Sequence, residues 1–218
     1  MPPLPPNPRA VTFIDGQNLF YAVKNAFKYM FPNYDPLALS EALCKARGWT
    51  LAEVRFYTGV PDLADDPFWH GFWTNKLRAM KSQGVVTFHR SLRYGTREFR
   101  CPKCGVKYQC PRCKAESVVR VGREKGVDIR MALDVIQGAL ASRYDVALLL
   151  TQDQDFSEVA NEIRTIAKAQ DRWIKIASAF PAGGTRSKGI DRTDWIPIDL
   201  ATYVKCIDPR DHRPKPAP

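Results

Sequence analysis

Val11-Thr12-Phe13-Ile14-Asp15-Gly16-Gln17-Asn18 is the stretch from which the fold can be read. A short apolar run from Ala10 to Ile14 stops at Asp15-Gly16 and gives way to Asn18-Leu19-Phe20-Tyr21-Ala22-Val23, which reads as strand, sharp turn and helix. Asp15 therefore stands at the carboxyl end of a strand. The alternation continues downstream, with strands predicted over residues 53–58, 85–89, 146–150 and 173–177 and helices over 36–47, 67–83 and 127–142. Such a succession implies an α/β domain with a mostly parallel central sheet covered by helices.

After Gly126, Ile129, Ala132, Leu133, Ile136 and Leu140 recur at helical spacing and are expected to line one buried face, with Asp128 opening the helix. Val146-Ala147-Leu148-Leu149-Leu150 is continuously apolar, as a parallel strand covered on both faces should be. Phe156, Val159, Ala160, Ile163, Ile166 and Ala167 then resume helical spacing, and Asp153 and Asp155 fall in the turn between. Residues 181–189 form a Gly-rich basic loop whose Arg186 and Lys188 receive no role. The Pro- and charge-rich residues 208–218 are expected to be disordered, and no internal repeat is present.

At 218 residues the chain suits one domain with an insertion better than two small domains. A formal net charge of +10 points to a polyanionic partner, nucleic acid ahead of an anionic membrane surface. The excess is local: between positions 90 and 125 there are 11 Lys and Arg against 3 Asp and Glu, so that segment carries +8. No apolar run reaches the roughly 18–20 residues of a membrane span, and the Pro-rich residues 1–8 lack a signal peptide's apolar stretch. A soluble cytosolic protein is expected.

In an open parallel sheet, ligands collect beyond the carboxyl ends of the strands, where strand order reverses. Asp15, Asp153 and Asp155 map to such ends, and Asp128, at the start of a helix feeding the neighbouring strand, can point into the same crevice. Four carboxylates there repel one another unless a cation or protons neutralise them. Mg²⁺ or Mn²⁺ suits an all-oxygen set, one ion or two, and phosphodiester cleavage is the natural chemistry of such a centre. Singly, Asp155 reads as well as a helix cap and Asp128 as a first-turn acid; the coincidence of four favours metal. Asp134, about 240° around the helix from Asp128 at about 100° per residue, is left out. His70, His89 and His212 lack ligand spacing and read as surface or packing residues, and Trp69, Phe72 and Trp73 as helix packing.

The run from Val11 to Asn18 resembles the opening strand of NYN domains, the LabA-like branch of the PIN-like nucleases, whose hallmark is hydrophobic-Asp-Gly-x-Asn. Glu124-Lys125-Gly126-Val127-Asp128-Ile129 resembles their second motif, and Leu150-Thr151-Gln152-Asp153-Gln154-Asp155-Phe156 is similar to the third, usually Ser-Gly-Asp-x-Asp-Phe. The match runs in order over residues 11–179. It implies a PIN-like three-layer α/β/α domain of five or six strands, here residues 10–205, that cleaves RNA with Mg²⁺ or Mn²⁺. By the same resemblance Asp15, Asp128, Asp153 and Asp155 take the metal-binding positions, and Asn18 takes the one that supports the first aspartate and contacts phosphate. Thr151-Gln152 departs from Ser-Gly and puts a bulky side chain where the family has almost none, so substrate access or loop geometry should differ.

Of 6 cysteines, Cys44 and Cys206 stand alone, while Cys101, Cys104, Cys110 and Cys113 form C-x2-C-x5-C-x2-C. Without an export signal this pairing suggests metal rather than disulfides. Two such turns can complete a tetrahedral structural Zn²⁺ site, with an iron centre or redox thiols as alternatives. The insertion, residues 93–122, is too short to hold a core and should be ordered by its metal. Arg93, Arg97, Arg100, Lys103, Lys107, Arg112 and Lys114, interleaved with Tyr94, Phe99 and Tyr108, suit single-stranded nucleic acid, because cations meet phosphates while exposed rings stack on bases. A merely solvated structural clip is the plainer alternative. Lys125 is a further phosphate candidate.

The resulting expectation is a metal-dependent ribonuclease, RNA ahead of DNA, with tails at 1–9 and 208–218. Two other classes stay open: a noncatalytic nucleic-acid-binding or assembly protein, and a phosphatase or nucleotidase. A mononucleotide separates the last, since a nucleotidase releases phosphate from it. Endo- or exonuclease action and oligomeric state leave no trace in the sequence.

Overall fold

The apolar run that ends at Asp15 is a central strand of the sheet, β1 (Arg9–Asp15). The computed structural model describes residues 2–114, 118–185 and 187–214. Arg186 and the segment 215–218 of the expected tail lie outside the described residues, as do 115–117 of the insertion. After β1 come α1 (Gly16–Phe27), α2 (Pro36–Lys45), β2 (Thr50–Val60), α3 (Pro67–Ser82) and β3 (Val86–Ser91). A separate ribbon follows, β4 (Arg93–Glu98) and β5 (Val118–Arg123), and the chain returns through α4 (Val127–Leu140), β6 (Val146–Leu150), α5 (Phe156–Ala169), β7 (Lys175–Pro181), β8 (Asp194–Ile198) and α6 (Leu200–Lys205).

Among the described residues, six strands form one sheet in the order β3-β2-β1-β6-β7-β8, and each neighbouring pair is parallel. Strand order reverses between β1 and β6, which opens a crevice beyond their carboxyl ends. Side chains alternate across the sheet because the strand period is two. Val146, Leu148 and Leu150 join one apolar cluster with Leu19, Leu39, Trp73 and Tyr203, whereas Ala147 and Leu149 join another with Met131, Val135, Phe156 and Ile163. Helices α1, α2, α3 and α6 thus cover one face and α4 and α5 the other, the expected three layers. Leu148 is wholly buried, so its truncation to Ala should cost about 2–5 kcal/mol.

Caps set the helix starts. Asp35 accepts the amides of Leu37 and Ala38 ahead of Pro36, and Asp66 accepts that of Trp69 ahead of Pro67. Each pairing supplies an N-cap acceptor and a first-turn residue that has no amide to satisfy.

Several expectations are corrected. The buried face of α4 is Val127, Met131, Asp134, Val135, Gly138 and Ala139, while Ile129, Leu133 and Leu140, expected inside, are 67%, 46% and 55% exposed. Helix α4 carries two apolar stripes, and the buried one includes Gly138, where the helix comes close to the Tyr144 ring. A Cβ on Gly138 would sit 2.6 Å from the Tyr144 ring. Strand β8 was not expected; Pro197 removes a ladder donor, which an edge strand tolerates.

The tail expected to be disordered instead packs from Asp208 to His212. Asp208 donates its amide to the Asn33 carbonyl, and its carboxylate lies 3.6 Å from Nζ of the fully buried Lys76. His212 contacts the same carboxylate at 2.7 Å. Composition favours disorder here, but a buried ammonium draws in a counter-ion. At the other end Pro8 is buried and its carbonyl accepts the Thr50 amide. Among the described residues, no helix is long and apolar enough to cross a membrane.

Candidate functional site

The sharp turn after β1 places Asp15 at the mouth of the crevice, 5% exposed. Its Oδ1 accepts the Asn18 amide at 2.9 Å and so caps α1. Only glycine fits next, since a Cβ on Gly16 would sit 2.4 Å from the Phe56 ring. The Asn18 side-chain oxygen accepts the Gln152 amide at 2.9 Å, tying α1 to the turn after β6.

In that turn the Thr151 hydroxyl lies 3.5 Å from Asp15 Oδ2 and accepts the Asp153 amide at 3.2 Å. Asp153 Oδ1 in turn accepts the Asp155 amide at 3.1 Å. The Asp155 side chain makes no cap bond to α5, so the capping alternative is not what the geometry shows. Gln152, the departure from Ser-Gly, is 7% exposed, and its side-chain amide donates to the Lys188 carbonyl at 2.8 Å. Gln154 reaches the Gly189 carbonyl at 3.1 Å and the Asp191 amide at 3.1 Å. The bulky side chain therefore pins the Gly-rich loop beside the crevice.

Asp128 stands in the first turn of α4, whose N-cap Gly126 offers no side chain to cap it. Asp134, excluded on angular grounds, is indeed engaged elsewhere: Tyr57 donates to it at 2.8 Å, and Arg55 and Arg130 pair with it at 3.0 and 2.9 Å. The sequence reading missed Glu124. It follows β5 directly, accepts the Gly59 amide, and lies within electrostatic reach of Asp15 and Asp128. Its signal was a carboxylate four residues ahead of Asp128, at the end of a strand that was not foreseen.

Electrostatics bind these residues into one set. Burial pushes the Asp15 carboxyl up to about 7 against the hydrogen bond from Asn18, with Asp128 and Asp153 adding to the rise. Glu124 is likewise raised to about 7, first by burial and then by Asp15. Asp128 is raised by burial, Asp153 and Asp155. Five carboxylates are thus linked to one another by electrostatic repulsion. Among the described residues, no group of three or more His, Cys, Asp or Glu side chains is close enough to hold a metal ion as it stands. The donor set nevertheless fits a hard divalent cation, being all oxygen, partly buried and short of countercharge.

The histidines take no part in this cluster: His70 contacts the Pro61 carbonyl, His89 is exposed and His212 packs against Phe72. Phe72 and Trp73 are buried packing residues, while Trp69 is half-buried.

The cysteines fall into two copies of one turn. Gly105 donates to the Cys101 carbonyl at 2.9 Å and Lys114 to the Cys110 carbonyl at 2.8 Å, and both donors have left-handed φ, 72° and 61°. The Cys101 thiol is lowered by the amides of Cys104 and Lys103, and Cys110 by those of Cys113 and Arg112. The first cysteine of each pair is therefore biased toward its thiolate. The four thiols are not drawn into one metal-holding group.

Flanking them, β4 and β5 pair antiparallel and set Arg93 opposite Arg123. Like charges facing across a ribbon are unfavourable without an anion. Arg123 is a second residue the sequence reading passed over. Arg93, Arg97, Lys103, Arg112, Lys114 and Lys125 are exposed, whereas Arg100 and Lys107 each pair with Glu98 at 2.7 Å. Phe99 and Tyr108 form an edge-on pair at 5.7 Å and are 56% and 49% exposed.

No curated protein is significantly similar to the chain. Among solved structures, a Vibrio parahaemolyticus protein of unknown function matches with a TM-score of 0.52 at 16% identity, covering 89% of this chain and 93% of that one. This likeness concerns the fold alone. A Sir2 homologue in complex with NAD matches at a TM-score of 0.35 and 10% identity over 87% of this chain and 83% of that one, too weak to carry an argument. The NYN domain family model matches residues 9–170, a span holding all five carboxylates, and the chain belongs to the NYN domain family.

Proposed function

We propose that the protein is a metal-dependent nuclease acting on RNA in preference to DNA. The observation that carries this reading is the set of five carboxylates, from three separate segments, gathered at the strand-order reversal of an NYN domain. Asp15, Asp128, Asp153 and Asp155 would hold Mg²⁺ or Mn²⁺, and Glu124, anchored on the Gly59 amide, contributes the fifth carboxylate. A divalent ion bound there supplies polarisation of a phosphoryl oxygen and acidification of a water. The chain's own part is positional: Asn18 and Thr151 fix Asp15 against Asp153, and Gln152 and Gln154 hold residues 188–191 at the rim. The Asp-Gly-Gln-Asn opening also leads us to place the chain in the LabA-like branch.

In the same reading, the two cysteine turns take one structural Zn²⁺, consistent with their shared conformation and with the lowered thiols of Cys101 and Cys110. The ribbon beside them, with Arg93 facing Arg123, then grips the phosphate backbone.

Native protein incubated with labelled single-stranded RNA, single-stranded DNA and a mononucleotide, each with Mg²⁺, Mn²⁺ or EDTA, tests the assignment. Cleavage of RNA that EDTA abolishes is expected. Phosphate released from the mononucleotide with both polymers intact would replace the reading with a nucleotidase.

A further inference from the structure

A groove of about 540 Å³ opens between α1 and α3 beside the carboxylates, lined among others by Gln17, Phe20, Tyr21, Lys24, Phe68 and Trp69. We infer that it is a base-stacking subsite for unpaired nucleotides of the strand that enters the acidic crevice. The inference rests on the nuclease reading for its substrate but not for its geometry.

Three observations support it. First, the rings cluster against one another at tilted angles yet stay partly open to solvent: Phe20 and Phe31 lie 6.1 and 5.5 Å from Trp69, while Tyr21 and Phe68 are 62% and 39% exposed. Every base has a π-face, so such a platform accepts single strands of any sequence. Second, the charge fits. Among the described lining residues the one charged side chain is Lys24, exposed on the same helical stripe as Gln17 and Tyr21, and no carboxylate faces the groove. Bases can stack while the ammonium meets a phosphate. Third, the groove borders the acidic set at Gly59. At Gly59 a Cβ would meet Leu92 and Gln17 of the groove at 2.5 and 3.1 Å and the Glu124 carboxylate at 2.6 Å. A duplex keeps its bases paired and cannot use the platform, so the groove favours single strands.

The test is binding of a labelled single-stranded RNA and of an abasic strand of equal length, both in EDTA so that nothing depends on cleavage. Native protein is compared with Tyr21→Ala, Phe68→Ala and Lys24→Ala. The two ring variants should lose about fivefold to a hundredfold on RNA and nothing on the abasic strand. Lys24→Ala should weaken both strands alike. If Phe68→Ala melts early, Tyr21→Ala alone carries the test, since that ring is mostly in solvent. Ring variants that match native protein on RNA, or lose equally on both strands, overturn the subsite and leave the groove to a protein partner. Base-dependent binding in EDTA by a protein that leaves the same RNA uncut in Mg²⁺ or Mn²⁺ would sink the nuclease reading and keep the subsite.

Discussion

The Asn18 side-chain oxygen accepts the backbone amide of Gln152 across 134 residues of sequence. This bond fixes the start of α1 against the turn after β6, so Asp15 and Asp153 hold a set separation. Asn18→Ala should lose about 0.5–1.5 kcal/mol and a few degrees of Tm, with a larger proportional fall in cleavage. Asn18→Asp keeps an acceptor but adds a negative charge to the acidic set, so its metal-free melt should fall below native while it half-saturates at lower Mn²⁺. Thermal melts beside Mn²⁺ titrations of both variants check this; native activity in Asn18→Ala contradicts it.

Asp15 and Glu124 predict an unusual pH profile for metal-free protein. Both are raised to about 7, chiefly by burial, so the folded state holds protons that the unfolded chain has released. A raised folded value gives stabilisation that is complete below the unfolded carboxylate value, about 4, and lost as pH climbs through about 7. In EDTA, Tm should fall by several degrees between about pH 5 and about pH 8. Saturating Mn²⁺ at the upper pH should restore it, because a ligand of the folded state stabilises by mass action. A flat EDTA profile would show that the carboxylates do not strain the fold.

Neither apolar cluster contains a described residue of the segment from β4 to β5. Cys104→Ser or Cys113→Ser should therefore release one Zn²⁺ per chain and speed amide exchange in β4 and β5, while the main melt moves by less than about 2 °C. RNA affinity should drop with the metal. A collapse of the whole melt would place the metal in the core's stability instead.

Lys76 is fully buried, and burial lowers its pKa to about 8 even with Asp208 beside it. Burial pushes Asp208 up, but hydrogen bonds from Arg210 and His212 outweigh it and hold the carboxyl below its ordinary range. Asp208→Ala strands a buried ammonium and should cost on the order of 3–5 kcal/mol. Lys76→Met in the same background should recover part of that loss. Chemical denaturation of the three proteins measures both.

Much of this architecture was legible because the decisive signals are local. The turn at Asp15-Gly16, the continuous apolar run of β6 and the Asp153-Gln154-Asp155 turn each state their own conformation. What escaped depends on contacts distant in sequence. The α4 face is chosen by the fit of Gly138 against Tyr144, which periodicity cannot rank against the stripe of Ile129, Leu133 and Leu140. Pro197 disguised an edge strand, and Glu124 joins the acidic set only because β5 ends beside Gly59. The charge-rich tail reads as disordered until Lys76 is known to be buried.

The central claim is that these carboxylates form one metal-dependent cleavage site. It is tested most directly by comparing native protein, Asp15→Asn and Asp153→Asn, all folded and zinc-loaded, on labelled single-stranded RNA in Mg²⁺ or Mn²⁺. Cutting by native protein that EDTA stops and that both variants lose is expected. Folded, zinc-loaded native protein that binds the RNA but cuts neither it nor DNA would contradict the account and leave a nucleic-acid-binding module in its place.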